Sequence, residues 1–308
     1  MTRRKSISCI AIAIAVSLGG SASRAQAPRS AYSRLSIGVV RGDGIFLPLV
    51  SKENETWTVL RSLTSVGDKS LYKLLDAPRV PREGWTYVPW DSGIARPLVV
   101  LNTVTTDAHC GSQEGFASDA PADSKLDSPH LMSGVAIHGD VSAVRAVDMV
   151  QQPDEMSRGV ARFIVQLTHA LEAQTVSGLP ASSSVMPSNE RERVPVQITT
   201  LARDRVGDGG AHGYVDYYYF EARKRYRAAE SYASGWLESS PESLSVLRTT
   251  AGIYRGGETT RQWGRVLGVL RIRRSSVWVM EMRAYEGVTY EIVDPAAEDV
   301  LKVSGGGC

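Results

Sequence analysis

The feature that most constrains this chain is a series of apolar runs too short for helices and punctuated by turn residues. Residues 35–40 lead through Arg41-Gly42-Asp43-Gly44 into the apolar run 45–50. Asp-Gly between two such runs is the local chemistry of a tight hairpin. In the last third, the runs 265–272, 277–282 and 289–293 are separated only by Arg273-Arg274-Ser275-Ser276 and a turn around Glu286-Gly287. Strands joined this closely pair antiparallel, because a parallel pair needs a long crossover.

Further strand candidates are residues 56–60, 85–88, 97–101 and 194–200, with a tyrosine-rich run at 214–221. Short β-like runs occupy 135–150, and the polar stretch 105–130 reads as a long loop. Residues 154–174 are the one helix the pattern supports. Met156, Val160, Phe163, Ile164, Leu167 and Leu171 recur at spacings of three and four, with Asp154 and Glu155 at the start and Gly178 past the end. A Ser/Pro-rich linker follows to residue 193. The expected fold is mainly β, a β-rich α+β protein of antiparallel sheets, with two β lobes and one amphipathic helix between them. A single larger sandwich or barrel is the alternative.

The N-terminus carries an export pattern. Arg3, Arg4 and Lys5 precede an apolar stretch from Ile7 to Leu18, which is too short to span a bilayer. Cleavage after Ala25 is favoured, and after Ala27 is the alternative. The expected division is a signal peptide at 1–25, an N-terminal β lobe at 26–130, a helix-containing connector and linker at 131–193, a C-terminal β lobe at 194–304 and a flexible tail at 305–308. Losing residues 1–25 removes Arg3, Arg4, Lys5 and Arg24 and no acid, which turns a net charge of +2 into −2. The mature protein is expected in the periplasm or outside the cell, with no transmembrane segment. Its two remaining cysteines, Cys110 and Cys308, are candidates for a disulfide in that oxidising setting.

The sequence resembles a group of uncharacterised exported bacterial proteins. The resemblance rests on Gly38-Val39-Val40-Arg41-Gly42-Asp43-Gly44 leading to Pro48 and Trp57, on Pro89-Trp90-Asp91, and on His109-Cys110 with Asp119. It returns at Gly268-Val269-Leu270-Arg271 with Trp278, and at 290–293. It implies export and carries over no activity, cofactor or catalytic residue. Where such sequences have an acidic run after the tyrosine at 285, this chain has Glu286-Gly287-Val288.

Zinc-helix, nucleophile-elbow, P-loop and dinucleotide-binding patterns are all missing from the sequence. Ser70-Leu71-Tyr72-Lys73 matches S-x-x-K but has no companion motif. Asp107, His109 and Asp119 are the weak catalytic candidates, since a histidine flanked by carboxylates serves a general base or a metal. The bland reading is a surface loop tied down by Cys110. No cofactor is called for, and the sequence leaves any metal undetermined. His169 reads as a surface residue of the helix.

Tyr217, Tyr218, Tyr219, Arg223 and Arg225 form the candidate binding face. On a strand, one side of this run packs and the other presents a wet aromatic patch. Residues 191–283 hold 16 Lys+Arg against 10 Asp+Glu. Basic and aromatic residues together suit an envelope protein or an anionic glycan. Export argues against nucleic acid. The leading expectation is an exported, non-enzymatic binding or assembly protein. The alternative is an envelope hydrolase or metal-dependent enzyme built on Asp107, His109 and Asp119.

Overall fold

Among the described residues the chain forms twenty strands, and these divide among three antiparallel-dominated sheets. A computed structural model describes residues 35–53, 56–66, 69–75, 80–90, 93–108, 111–123, 131–139, 143–145, 148–150, 155–179, 188–206, 215–226, 229–255, 263–272, 275–284, 287–297 and 299–307.

The first sheet holds β1 (Leu35–Arg41), β2 (Ile45–Glu53), β3 (Thr56–Val59), β4 (Arg61–Val66), β5 (Lys69–Leu74), β6 (Trp85–Pro89), β7 (Arg96–Leu98), β8 (Val100–Ala108), β9 (Gly111–Ser118) and β10 (Met132–His138). The β1–β2 hairpin forms at Asp43-Gly44 as the sequence indicates. Gly44 takes φ 81°, a backbone that side-chain-bearing residues rarely adopt. Arg41 braces the turn through Asp43 at 2.6 Å.

Two short strands, β11 (Ala143–Arg145) and β12 (Asp148–Met149), then carry the chain out of the first sheet. β11 pairs with the edge of the second sheet and β12 with the edge of the third. Helices α1 (Glu155–Ser177) and α2 (Ser188–Arg193) follow. The third sheet is the meander β13 (Gln197–Val206), β14 (Val215–Arg225), β15 (Ala229–Ser239) and β16 (Leu244–Arg255). The second sheet is the meander β17 (Trp263–Ile272), β18 (Ser275–Ala284), β19 (Gly287–Asp294) and β20 (Asp299–Gly307).

Alternation along the strands stacks these layers. Ile37, Val39, Leu47, Val135 and Ile137 of the first sheet meet Val277, Val279, Ile292 and Val303 of the second. The other face of the first sheet has its own core, where Phe46 meets Trp85 edge-on at 4.6 Å between ring centres. The opposite face of the second sheet carries Val269, Trp278, Met280 and Val293, which pack on Tyr217, Tyr219 and Trp236 of the third. Val160 and Ile164 of α1 close the stack against Tyr218, Phe220 and Leu237. The order is therefore first sheet, second sheet, third sheet, helix.

The mainly β expectation agrees with the structure. The polar stretch 105–130 differs, because Thr103, Thr105 and Thr106 continue β8 and residues 111–118 form β9. Threonine suits a pleated, half-exposed surface, so polarity there marks a solvated sheet face instead of a loop. Ser70 and Lys73 lie on β5, so the helical spacing an S-x-x-K pair requires is not present. Gly305, Gly306 and Gly307, read as a flexible tail, complete β20. Gly305 is tolerated within the strand because the ring of Tyr290 occupies the space a Cβ would need. No helix among the described residues is long and apolar enough to cross a membrane.

Candidate binding cleft

The site is built where the second and third sheets part. On β14, Tyr217, Tyr219, Glu221 and Arg223 alternate onto the side facing the second sheet, while Tyr218, Phe220 and Lys224 face α1. The first part of that interface is a closed core, with Trp236 edge-on to Trp278 at 4.9 Å and Tyr219 against Trp236 at 5.0 Å. Beyond it the side chains become polar and a cleft of about 110 Å³ opens. Its walls include Tyr232, Ser234, Arg248 and Thr250 from the third sheet and Met282, Glu291 and Lys302 from the second. A recess of about 10 Å³ adjoins it, sharing Tyr232 and Ser234 and adding Thr199, Arg223 and Trp263.

The acids of this cleft are already engaged. Glu221 accepts hydrogen bonds from the Tyr219 hydroxyl at 2.9 Å, the Gly264 N–H at 2.5 Å and the Thr200 hydroxyl at 3.2 Å. Burial, and then the negative charges of Glu221 and Glu291, push Tyr219 well above its usual pKa of 10, so its hydroxyl stays a donor. Glu291 pairs with Lys302 at 3.1 Å. The arginines are different. Among the described residues, neither Arg223 nor Arg248 has a carboxylate within ion-pair distance, and Nε of Arg223 is buried without a hydrogen-bond partner. The cleft thus presents a half-exposed tyrosine ring, several hydroxyls and two unspent cations. Such groups are suited to hydrogen bonding and ion pairing with a polar ligand.

A second polar cluster lies on the other face of the third sheet. Lys224 is fully buried and donates to Glu172 of α1 at 2.5 Å. Glu172 also accepts from Ser231 at 2.6 Å and from the Tyr226 hydroxyl. Nδ1 of His169 lies 3.3 Å from the Lys224 ammonium, so the neutral ring acts as an acceptor there. Burial, and then the Lys224 charge, lower the His169 pKa from 6.5 against weaker pulls from Glu172 and Glu192. Burial also works to raise the Glu172 carboxyl, but the hydrogen bonds from Lys224, Ser231 and Tyr226 outweigh it and hold the group below 4.5. Both shifts weaken the fold in acid. A base whose pKa falls on folding is protonated first in the unfolded chain, so its penalty grows as pH drops below the unfolded 6.5. The Glu172 contribution is lost later, as pH falls through its depressed folded value. The melting temperature is therefore expected to fall between about pH 7 and pH 5, and His169→Gln, which keeps an acceptor but cannot titrate, is expected to flatten that slope. An unchanged slope in the variant would assign the acid sensitivity to other groups.

The residues singled out from sequence separate into three fates. Tyr219 and Arg223 line the cleft system, Arg225 pairs at the surface with Glu230 at 3.2 Å, and Tyr217 and Tyr218 are core. The expectation of one packed and one wet aromatic side along this run is corrected: Tyr217, Tyr218 and Tyr219 are all buried, at 9%, 0% and 3% exposure. β14 is a central strand with a sheet on one side and a helix on the other, so its tyrosines are covered on both faces and only its end, at Glu221, Arg223 and Arg225, reaches the cleft or solvent.

His109, Cys110 and Cys308 lie outside the described residues. Asp107 sits exposed near the end of β8, where its backbone carbonyl accepts from buried Arg41 at 2.9 Å. Asp119 accepts from the Val99 N–H at 2.8 Å, a loop-bracing role. Among the described residues no group of three His, Cys, Asp or Glu side chains is placed to hold a metal ion. Strand β20 packs against β8 and β9, the strands that flank Cys110 in sequence.

Sequence reading passed over Tyr232, Ser234, Trp236 and Arg248. The usable signal was the alternation Tyr-x-Ser-x-Trp within 232–236, which places all three on one face of a strand. No protein-family model matches the chain, and no curated protein or solved structure matches it significantly.

Proposed function

We propose that the chain is an exported, non-enzymatic binding protein of the bacterial envelope, and that its ligand enters the cleft between the two C-terminal sheets. The observation that carries this reading is the state of the charges there: Glu221 and Glu291 have partners within the protein, while among the described residues Arg223 and Arg248 have no carboxylate within ion-pair distance. Export is supported by the basic start and the short apolar stretch from Ile7 to Leu18. The binding face first read along Tyr217–Tyr219 moves by this reasoning to Tyr232, Ser234, Arg248 and the edge of Tyr219.

The test uses the tagged, exported protein, cross-linked mildly in its own cells and purified for mass spectrometry of what comes with it. A specific companion, small or macromolecular, is expected with the wild type. Thr250→Trp fills the cleft and Tyr232→Ala removes its ring, and each is expected to lower recovery about tenfold at unchanged melting temperature, the effect of roughly 1.4 kcal/mol. Equal recovery from all three proteins would sink the cleft as the binding site.

A further inference from the structure

We infer that the ligand of this cleft is an acidic polysaccharide lying across the third sheet from Arg248 to Arg223, an inference that rests on the cleft being the binding site. The strand registers fix the layout. Arg223 of β14 stands beside Tyr232 of β15, and Arg248 of β16 stands beside Trp236 of the same strand. Tyr232 and Trp236 are four residues apart, or about 13 Å along the strand, and β14 and β16 are two strand spacings apart, or about 10 Å. The arginine backbones are therefore separated by roughly 16 Å on the diagonal.

Strand side chains stand roughly perpendicular to their sheet, so the two cations are carried apart over their own strands and call for more than one negative charge. That arrangement suits a chain that repeats its negative charge. Between the two arginines lie the Tyr232 ring and the hydroxyls of Ser234 and Thr250. A sugar ring offers an apolar C–H face to the tyrosine and hydroxyls around its rim that donate and accept in turn. An acidic peptide fits less well. Extended peptides bind sheets by adding to an edge, whereas this cleft lies over a sheet face whose ladder hydrogen bonds are already made on both sides of β15.

The test is calorimetric titration of the mature protein with polygalacturonate at low salt, with dextran as the neutral polymer and poly-L-glutamate and oligo(dT) as the other polyanions. Polygalacturonate is expected to bind, dextran not to, and salt to weaken the affinity. Arg223→Gln and Arg248→Gln are each expected to weaken binding about tenfold, and the double variant further. No binding of polygalacturonate, equal binding by the double variant, or tighter binding of poly-L-glutamate or oligo(dT) would overturn the inference. If the double glutamine variant still recovers its companion from cells while Thr250→Trp does not, the cleft stands and only the acidic-polysaccharide assignment falls.

Discussion

Glu172→Ala is expected to destabilise the protein by about 3–5 kcal/mol, the cost of leaving a buried charge without its partner. Lys224 has no exposure in the folded state, and its ammonium meets Glu172 and the His169 ring between α1 and the third sheet. Without the carboxylate, the lysine must either lose its proton or drag water beneath the helix. Ser231 and Tyr226 lose their acceptor in the same step. Replacing both charges, as in Glu172→Leu with Lys224→Met, removes the desolvation cost along with the attraction and is expected to recover most of the loss. Urea unfolding of the two variants measures this. A double variant no better than Glu172→Ala would mean that packing, not charge, sets the value of this cluster.

Trp278→Ala is expected to cost about 3–5 kcal/mol through the cavity it leaves between the second and third sheets. The side chain is fully buried and edge-on to Trp236, which lines the cleft. The loss should therefore appear twice, as a lower urea midpoint and as weaker binding at the cleft. Trp278→Phe is expected to cost much less. The indole N–H has no hydrogen-bond partner among the described residues, so phenylalanine gives up some volume but also removes an unsatisfied buried donor. A phenylalanine variant as unstable as the alanine one would show that indole shape dominates and that the orphaned N–H is inconsequential.

The parts of this fold that were legible in sequence are those where one local signal suffices. Asp43-Gly44 fixes the first hairpin, and closely spaced apolar runs give β17, β18 and β19. The apolar stripe from Val160 to Leu171 gives α1. Strands β15 and β16 were missed because Ser, Gly, Thr and Glu dilute their apolar content, and only their neighbours make them strands. The burial of both faces of β14 was not readable either. It depends on a helix some fifty residues earlier and a sheet some fifty residues later, and alternation alone cannot say that both sides will be covered. The Glu172–Lys224 contact joins a helix to a strand in the same way. Arg223 was legible as part of a basic and aromatic string, yet its meeting with Tyr232 and the cleft required the register of β15.

The cleft between the two C-terminal sheets is proposed as the place where this protein meets its ligand. Hydrogen–deuterium exchange of the purified protein, with and without a dialysed extract of its own cell envelope, tests it without assuming what the ligand is. Slowed exchange is expected in peptides covering residues 229–255, with the first sheet unchanged and Thr250→Trp abolishing the effect. Protection centred on the first sheet or on α1, with residues 229–255 unmoved, would contradict it.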